Sequence, residues 1–331
     1  MLGGWRLFLA ALVALSHDGL RVAGLHPGVM AVVGFYLISG YVMTGLVRRH
    51  YARPAAVSGF YMDRFLRLFP VYWSVAALTA IWWFLTGSQT SYLRIAPDGS
   101  DWLANLSIIP LNFYMINCSD AFTLIPPAWS LGAELQFYVL VPFILLVPGL
   151  RSLALTASIV VQAMATMGVL NSDWFGYRLL PGVLCLFLAG SHLYDHHQRN
   201  ATAANAPDRW RLGLIVLGAA WLLGLLLSGR WGVPNLVEVA IGTLLGLWVL
   251  DRLARCRRRG WDDRLGDIAY ALFLVHFLVI WIWPGRPDGA LGYALLLGMA
   301  GFFAVIVYYV VERPCERLRH RWRRPSQRGV D

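Results

Sequence analysis

The sequence predicts an all-α, polytopic membrane protein of about ten transmembrane helices, with both termini in the cytoplasm. Composition is the first reason. Hydrophobic residues make up 58% of the 331 and charged residues only 14%, against roughly 25% charged in a soluble domain. So few charges cannot cover the surface of a soluble protein. Block length is the second reason: the apolar residues fall in runs near the ~20 residues that cross a bilayer as a helix. The third is the placement of the 28 basic residues, all arginine, which gather between the apolar runs.

In chain order the expected spans are about 5–24, 29–47, 69–86, 129–147, 152–170, 178–195, 211–228, 234–250, 266–284 and 290–311. The first follows Arg6 and leads straight into the second with no small-residue cleavage pattern, so it reads as a retained span rather than a signal peptide. Arg48, Arg49, Arg53 and Pro54 close the second, and the third opens at Pro70. The longest stretch outside the spans is about 87–128. There Asp98, Gly99, Ser100, Asp101 and Asn105 suggest turns, and Trp102, Leu106, Ile108 and Ile109 suggest packing on the membrane surface. The remaining spans follow with short connections, the most basic being Arg255 to Arg259. Glu312 and Arg313 end the tenth as a structural pair, and a basic tail runs from about residue 313. No internal repeat or second soluble domain stands out.

The arginines test this count. With the N-terminus in the cytoplasm, cytoplasmic segments hold 23 arginines and the opposite face holds five: Arg21, Arg94, Arg178, Arg230 and Arg286. That asymmetry is the positive-inside rule, and one missed or invented span would scramble it. A net charge of +10 placed between apolar runs points to membrane lipids rather than nucleic acid. Cys118, Cys185, Cys256 and Cys315 show neither CxxC spacing nor histidines at ligand spacing, so neither a metal site nor a disulfide framework is expected.

Ionisable residues inside spans cost about 2.5–3.5 kcal/mol each on insertion scales, which makes each a functional candidate. His17 and Asp18 fall well inside the first span. Arg6 lies eleven residues earlier, roughly 16 Å along a helix axis. Arg64 and Arg67 share one helix face on the cytoplasmic side, suited either to lipid phosphates or to a phosphate-rich ligand. Glu134 lies in the fourth span just after Trp129 and Ser130. His276 lies in the middle of the ninth, after Tyr270. Glu238, near the outer end of the eighth, reads as solvated.

Taken in order, these residues resemble acyltransferase family 3, the bacterial membrane O-acyltransferases. Arg6 and His17 match the family's Arg-(ten residues)-His signature. Phe35 to Gly40, including Ser39, resemble its aromatic-rich Ser-Gly stretch. Arg64-Phe65-Leu66-Arg67 with Pro70 resembles its RxxR segment. Trp129-Ser130-Leu131, Glu134, Phe137-Tyr138 and Pro142 resemble its WSL-x-x-E-x-x-FY-x-x-x-P block. Leu265-Gly266, Tyr270 and His276 resemble a late LG…SY…H segment, and Glu312-Arg313-Pro314 its closing motif. Ala31, Val33 and Ala269 stand where the family carries Gly, Asp and Ser.

The resemblance covers the chain as one transmembrane acyltransferase domain, residues 1–331, in the bacterial cytoplasmic (inner) membrane. It implies transfer of an acyl group, usually acetyl, from acyl-CoA as co-substrate, with no bound cofactor, to a hydroxyl of a glycan, lipid-linked sugar or other acceptor. His17 is then the catalytic base or a covalent acyl carrier, with Glu134 orienting the imidazole or binding the acceptor. Arg6, Arg64 and Arg67 are expected on the donor, and Ser39, Trp129, Ser130, Tyr270 and His276 around the acceptor pocket. A proton-coupled transporter and a non-catalytic subunit of polysaccharide export are the competing readings; the lack of a repeat weighs against the former.

Overall fold

In the computed structural model, residues 1–200, 209–256 and 259–323 are described; Arg257, Arg258, Arg324 and Arg328 of the basic segments lie outside them. The chain is helical throughout. In order it forms α1 (Leu2–His17), α2 (Pro27–His50), α3 (Val57–Thr86), α4 (Gly99–Ser107), the one-turn α5 (Tyr114–Asn117), α6 (Ala128–Leu146), α7 (Leu150–Met167), α8 (Leu180–Asn200), α9 (Arg209–Leu227), α10 (Leu236–Ala254), α11 (Gly260–Ile282), α12 (Gly289–Val307) and α13 (Arg313–Arg323). Each of the ten expected spans has a helix. Seven of these segments have the length and hydropathy to cross a bilayer, and the apolar α1 and the apolar part of α9, Val216–Leu227, are shorter. The chain is a polytopic, all-α, multi-pass membrane protein.

Two boundaries and the exposure of one carboxylate differ from expectation. The first helix closes at His17 rather than near residue 24, because Gly19 turns with φ +96° and Ala23 and Gly24 also take positive φ. Glycine enters that region without a Cβ clash. His17 therefore stands in the last turn of α1 and not deep within a span. The third helix begins at Val57, and Pro70 sits inside it. A proline there removes one backbone hydrogen bond, but helix continues on both sides, so Arg64 and Arg67 belong to the spanning helix itself. Finally, Glu238 is buried at 6% exposure and accepts the His26 backbone N–H at 3.2 Å. It is not solvated; it terminates the N-terminal end of α2.

The chain divides into two compact units, each built from separated segments. Unit 1 comprises Met1–Leu2, Gly19–Pro54 and Ala133–Arg258. Its centre is α2 packed on α8 and α10. The approach is close because both helices offer small residues: a Cβ on Gly40 would meet the Phe187 carbonyl, and one on Gly190 the Leu37 carbonyl. Small residues let helix backbones meet in a membrane, where no hydrophobic force drives them together. Tyr36, Phe137 and Phe187 fill the adjacent core, with the Phe137 and Phe187 rings stacked at 4.4 Å.

Unit 2 comprises Gly3–Asp18, Ala55–Gly132 and Arg259–Asp331. Here α11 packs with α1, α3 and α12. The stretch after α3 folds as α4, α5 and 3-10 turns, with α4 capped by a reciprocal Asp98–Asp101 capping box. Leu103, Leu106 and Ile116 there are exposed, as a surface resting against lipid requires.

Candidate active site

In unit 2, α1 and α11 run parallel and in register. The Asp262 carboxylate accepts the backbone N–H groups of Gly3 and Gly4 at 3.1 and 2.9 Å. Those are two of the orphan donors that open every helix. Fourteen residues further along each helix, His17 Nδ1 meets His276 Nε2 at 3.0 Å. Fourteen residues is close to four whole turns, so one face of each helix carries both contacts. The glycines make the approach possible: Gly3 and Gly266 face each other, and a Cβ on either would strike backbone.

The two imidazoles lie 3° from parallel with centroids 5.2 Å apart, and Phe277 packs 4.8 Å from the His17 ring. His276 is fully buried at 0% exposure, while His17 is exposed. One imidazole is thus sequestered and the other reachable. Immediately beyond, Asp18 pairs with Arg286, whose side chain also donates to the Trp283 carbonyl at 2.8 Å.

The arginines expected to hold the donor lie among carboxylates. Arg64 pairs with the neighbouring Asp63. Arg67 pairs with Glu312 and lies 3.7 Å from Asp267. Glu312 therefore does not pair with Arg313, as its position next to it suggested; it is buried and turned to α3. Arg319 on α13 reaches Asp63 at 3.7 Å and Glu316 at 3.6 Å, and Arg6 lies on α1 in the same unit. Asp267, Glu312 and Glu316 bring ligand atoms within 4.8 Å of one another, which is cation-binding geometry, but Arg67 and Arg319 already supply positive charge there. Tyr270 joins this group: its hydroxyl donates to the Leu68 carbonyl at 3.1 Å, and the Arg67 guanidinium lies 5.9 Å from its ring centroid.

Trp129 and Ser130 also fall in unit 2. The Trp129 carbonyl accepts from Asn112 at 3.0 Å, and the Ser130 hydroxyl donates to the Pro127 carbonyl at 2.9 Å. Both anchor the start of α6. In unit 1, Ser39 and Glu134 come together. The Ser39 hydroxyl donates to Glu134 Oε1 at 2.6 Å, and the Tyr138 hydroxyl donates to the same oxygen at 2.5 Å. Oε1 thus accepts twice, once through each of its lone pairs.

Sequence reading passed over Asp262, Asp267, Asp63 and Arg286. Asp262 carried a usable signal, since it precedes His276 by the same fourteen residues that separate Gly3 from His17. The others became visible only through their partners, which are distant in the chain apart from the adjacent Asp63 and Arg64.

A family model described as "Acyltransferase domain" matches residues 8–313. The acyltransferase MdmB of Streptomyces mycarofaciens is 25% identical over 92% of this chain and 84% of its own length. A putative membrane-bound transacylase, BcsY of Komagataeibacter xylinus, is 26% identical over 94% of this chain and 81% of its own. An Aquifex aeolicus protein named only as uncharacterized is 34% identical over 51% of this chain and 79% of its own. No solved structure matches.

Proposed function

Because the chain belongs to acyltransferase family 3, we propose that it moves an acyl group, acetyl first among them, from acyl-CoA to a hydroxyl of a carbohydrate or other cell-surface acceptor. The acyltransferase class and the membrane setting are its family's; donor, acyl group and acceptor are the proposal. The single observation that carries it is the contact of His17 with His276 at 3.0 Å.

A neutral imidazole has one N–H and one lone pair. When His17 donates through Nδ1 to His276, its lone pair lies on Nε2, the nitrogen away from the buried partner. A hydroxyl is a poor nucleophile until a base takes its proton, and an imidazole titrates in the range that suits this. In one route, Nε2 takes the hydroxyl proton as the acceptor oxygen attacks the thioester carbonyl. The carbon–sulfur bond then breaks, and the departing CoA sulfur takes that proton. In the other, Nε2 attacks the thioester carbonyl, the carbon–sulfur bond breaks and CoA leaves as the thiolate; the hydroxyl oxygen then attacks the acyl-imidazolium, the carbon–nitrogen bond breaks, and the hydroxyl proton passes to the thiolate. Both routes use the same nitrogen, so the geometry supports them equally.

Arg6, Arg64 and Arg67 fit the donor role through their charge and their expected cytoplasmic side, where acyl-CoA is found. Glu134, with Ser39, fits the acceptor role, since an ionised carboxylate accepts hydrogen bonds from sugar hydroxyls. The reading places the chain in a bacterial cytoplasmic membrane with both termini inside, on the strength of the 23-to-five arginine asymmetry.

The test supplies labelled acetyl-CoA to membranes containing the protein and follows label into surface glycan. Wild type is expected to transfer label, and His17→Ala to insert normally and transfer none. Transfer by His17→Ala would reject the assignment. A transporter would give uptake without covalent transfer, and an inert export subunit neither.

A further inference from the structure

The stretch after α3 carries a cavity that the proposed chemistry leaves unassigned. It measures about 340 Å³, within the size range of small-ligand pockets. Trp83 and Phe84, from the last turn of α3, line it together with Gln89 and Arg94. Its walls are set before any ligand arrives. Trp83 packs edge-on against the fully buried Phe122 ring at 5.2 Å, and Phe84 stacks on Trp102 at 6.2 Å. The Arg94 backbone N–H donates to the Ala121 carbonyl at 2.9 Å, and that of Thr123 to the Tyr92 carbonyl at 2.7 Å. These bonds tie the Arg94 edge to the segment that carries Phe122. All of these residues belong to unit 2.

The same segment leads towards the exposed imidazole. Tyr92, two residues before Arg94, meets Phe277 edge-on at 5.6 Å, and Phe277 packs 4.8 Å from the His17 ring. Two aromatic rings thus stand between this segment and His17. By the arginine asymmetry the stretch faces away from the cytoplasm, the side on which a cell-surface acceptor is found.

The lining discriminates among ligands. An anion gains little, because the Arg94 guanidinium is already neutralised by Asp120 at 2.8 Å. A hydrocarbon chain would cover the polar groups of Gln89 and Arg94 without bonding them. A pyranose uses both kinds of wall. Its C–H face rests on an aromatic ring, whose face is negative. Its hydroxyls, each both donor and acceptor, meet the guanidinium, the carboxylate beside it and the Gln89 amide.

We propose that this cavity is a sugar-binding subsite, holding a pyranose unit of the acceptor glycan beside the unit that is acylated. The ligand class rests on the glycan acceptor of the acyl-transfer reading; the site itself lies apart from His17. The test uses full-length protein in nanodiscs, acetyl-CoA as donor, and oligosaccharides released from the host's surface glycan as acceptor. Phe84→Leu raises KM for the oligosaccharide about tenfold, the scale of one aromatic contact, while KM for acetyl-CoA stays constant. Phe84→Trp, which restores a ring face, keeps the wild-type value. Gln89→Ala raises the same KM about fivefold, the scale of one hydrogen bond. Phe84 is 66% exposed and Gln89 is exposed, so neither replacement opens the core.

A binding readout separates the subsite from the chemistry. His17→Ala protein, titrated calorimetrically with the same oligosaccharides, binds them saturably, and adding Phe84→Leu weakens that binding about tenfold. Absence of saturable binding overturns the subsite, as does binding that Phe84→Leu leaves unchanged. Wild-type protein that binds the oligosaccharides through Phe84 yet transfers no acetyl to them upholds the subsite and rejects the acyl-transfer reading.

Discussion

Nδ1 of His17 lies 3.0 Å from Nε2 of His276, with the two rings 3° from parallel. A shared proton must belong to one of them. If His276 donates, His17 carries its own proton on Nε2 and cannot act as a base there. If His17 donates, as base chemistry at its Nε2 requires, His276 accepts through Nε2 and keeps its own proton on Nδ1. His276 is then a positioning residue that sets which nitrogen of His17 bears the lone pair. His276→Ala is expected to lower kcat by about 100-fold, at the low end of general acid–base contributions, with little change in KM for acyl-CoA. His276→Gln retains a side-chain acceptor and recovers part of that loss with a displaced pH–rate profile. Equal activity in all three proteins would remove His276 from the mechanism.

Glu134 allows a similar separation of charge from shape. Ser39 and Tyr138 both donate to its Oε1, and a glutamine carbonyl can occupy the same position. Glu134→Gln should therefore keep its thermal midpoint within a few degrees, because the acceptor oxygen survives. If the carboxylate charge binds the acceptor, KM for the acceptor rises by about tenfold or more, the scale of one charge-assisted hydrogen bond lost, while KM for acyl-CoA stays constant. Glu134→Ala strands both hydroxyls and lowers stability as well. Unchanged acceptor kinetics in Glu134→Gln would mark the carboxylate as a packing element of α6.

What the sequence made legible was chemistry carried within one helix. His17, Glu134 and His276 stood out because ionisable groups are costly in apolar runs, and the ten apolar runs each became a helix. What it hid was pairing across long separations. His17 and His276 are 259 residues apart, and nothing local says that α1 and α11 lie in register. The arginine pair illustrates the same limit. Spacing put Arg64 and Arg67 on one face, but Glu312 and Asp267 come from the distant α12–α13 junction and from α11. The end of α1 was hidden for another reason: Leu20 and Val22 prolong the apolar run, whereas the backbone turns at Gly19 with φ +96°, and hydropathy does not register a turn. Ser39-Gly40 forms a single motif in the sequence, yet its halves differ in purpose. Ser39 holds Glu134, and Gly40 lets the backbone of α8 approach.

The pairing of Arg67 with Glu312 makes a prediction with a definite sign. If Arg67 contacts a donor phosphate, the Glu312 carboxylate competes for the same guanidinium. Glu312→Gln should then lower KM for acyl-CoA, and Arg67→Ala should raise it. Both variants lose thermal stability, since breaking one side of a buried pair costs about 3–5 kcal/mol. Opposite movements of KM on a shared loss of stability separate ligand contact from general damage. A KM that rises in both, or moves in neither, would make Arg67 a structural partner of α12 and α13 alone.

Asp18, next to His17 at the end of α1, pairs with Arg286, which lies just beyond the end of α11 at Ile282. Their side chains are 17% and 7% exposed, so removing one partner leaves a largely buried charge unmatched. Asp18→Ala is expected to lower stability by about 3–5 kcal/mol, read as thermal unfolding in detergent. Arg286 also donates to the Trp283 and Ile280 carbonyls, so replacing it additionally frays the C-terminal end of α11. The double variant Asp18→Ala with Arg286→Leu leaves no unpaired charge and should recover part of the lost stability, a non-additivity expected of groups in contact. Activity should behave differently. If the pair serves to hold His17 against His276, the double variant regains stability without regaining kcat, because the tether at that end of α1 is still missing. Recovery of kcat in step with stability would make the pair a fold element with no part in placing the imidazole.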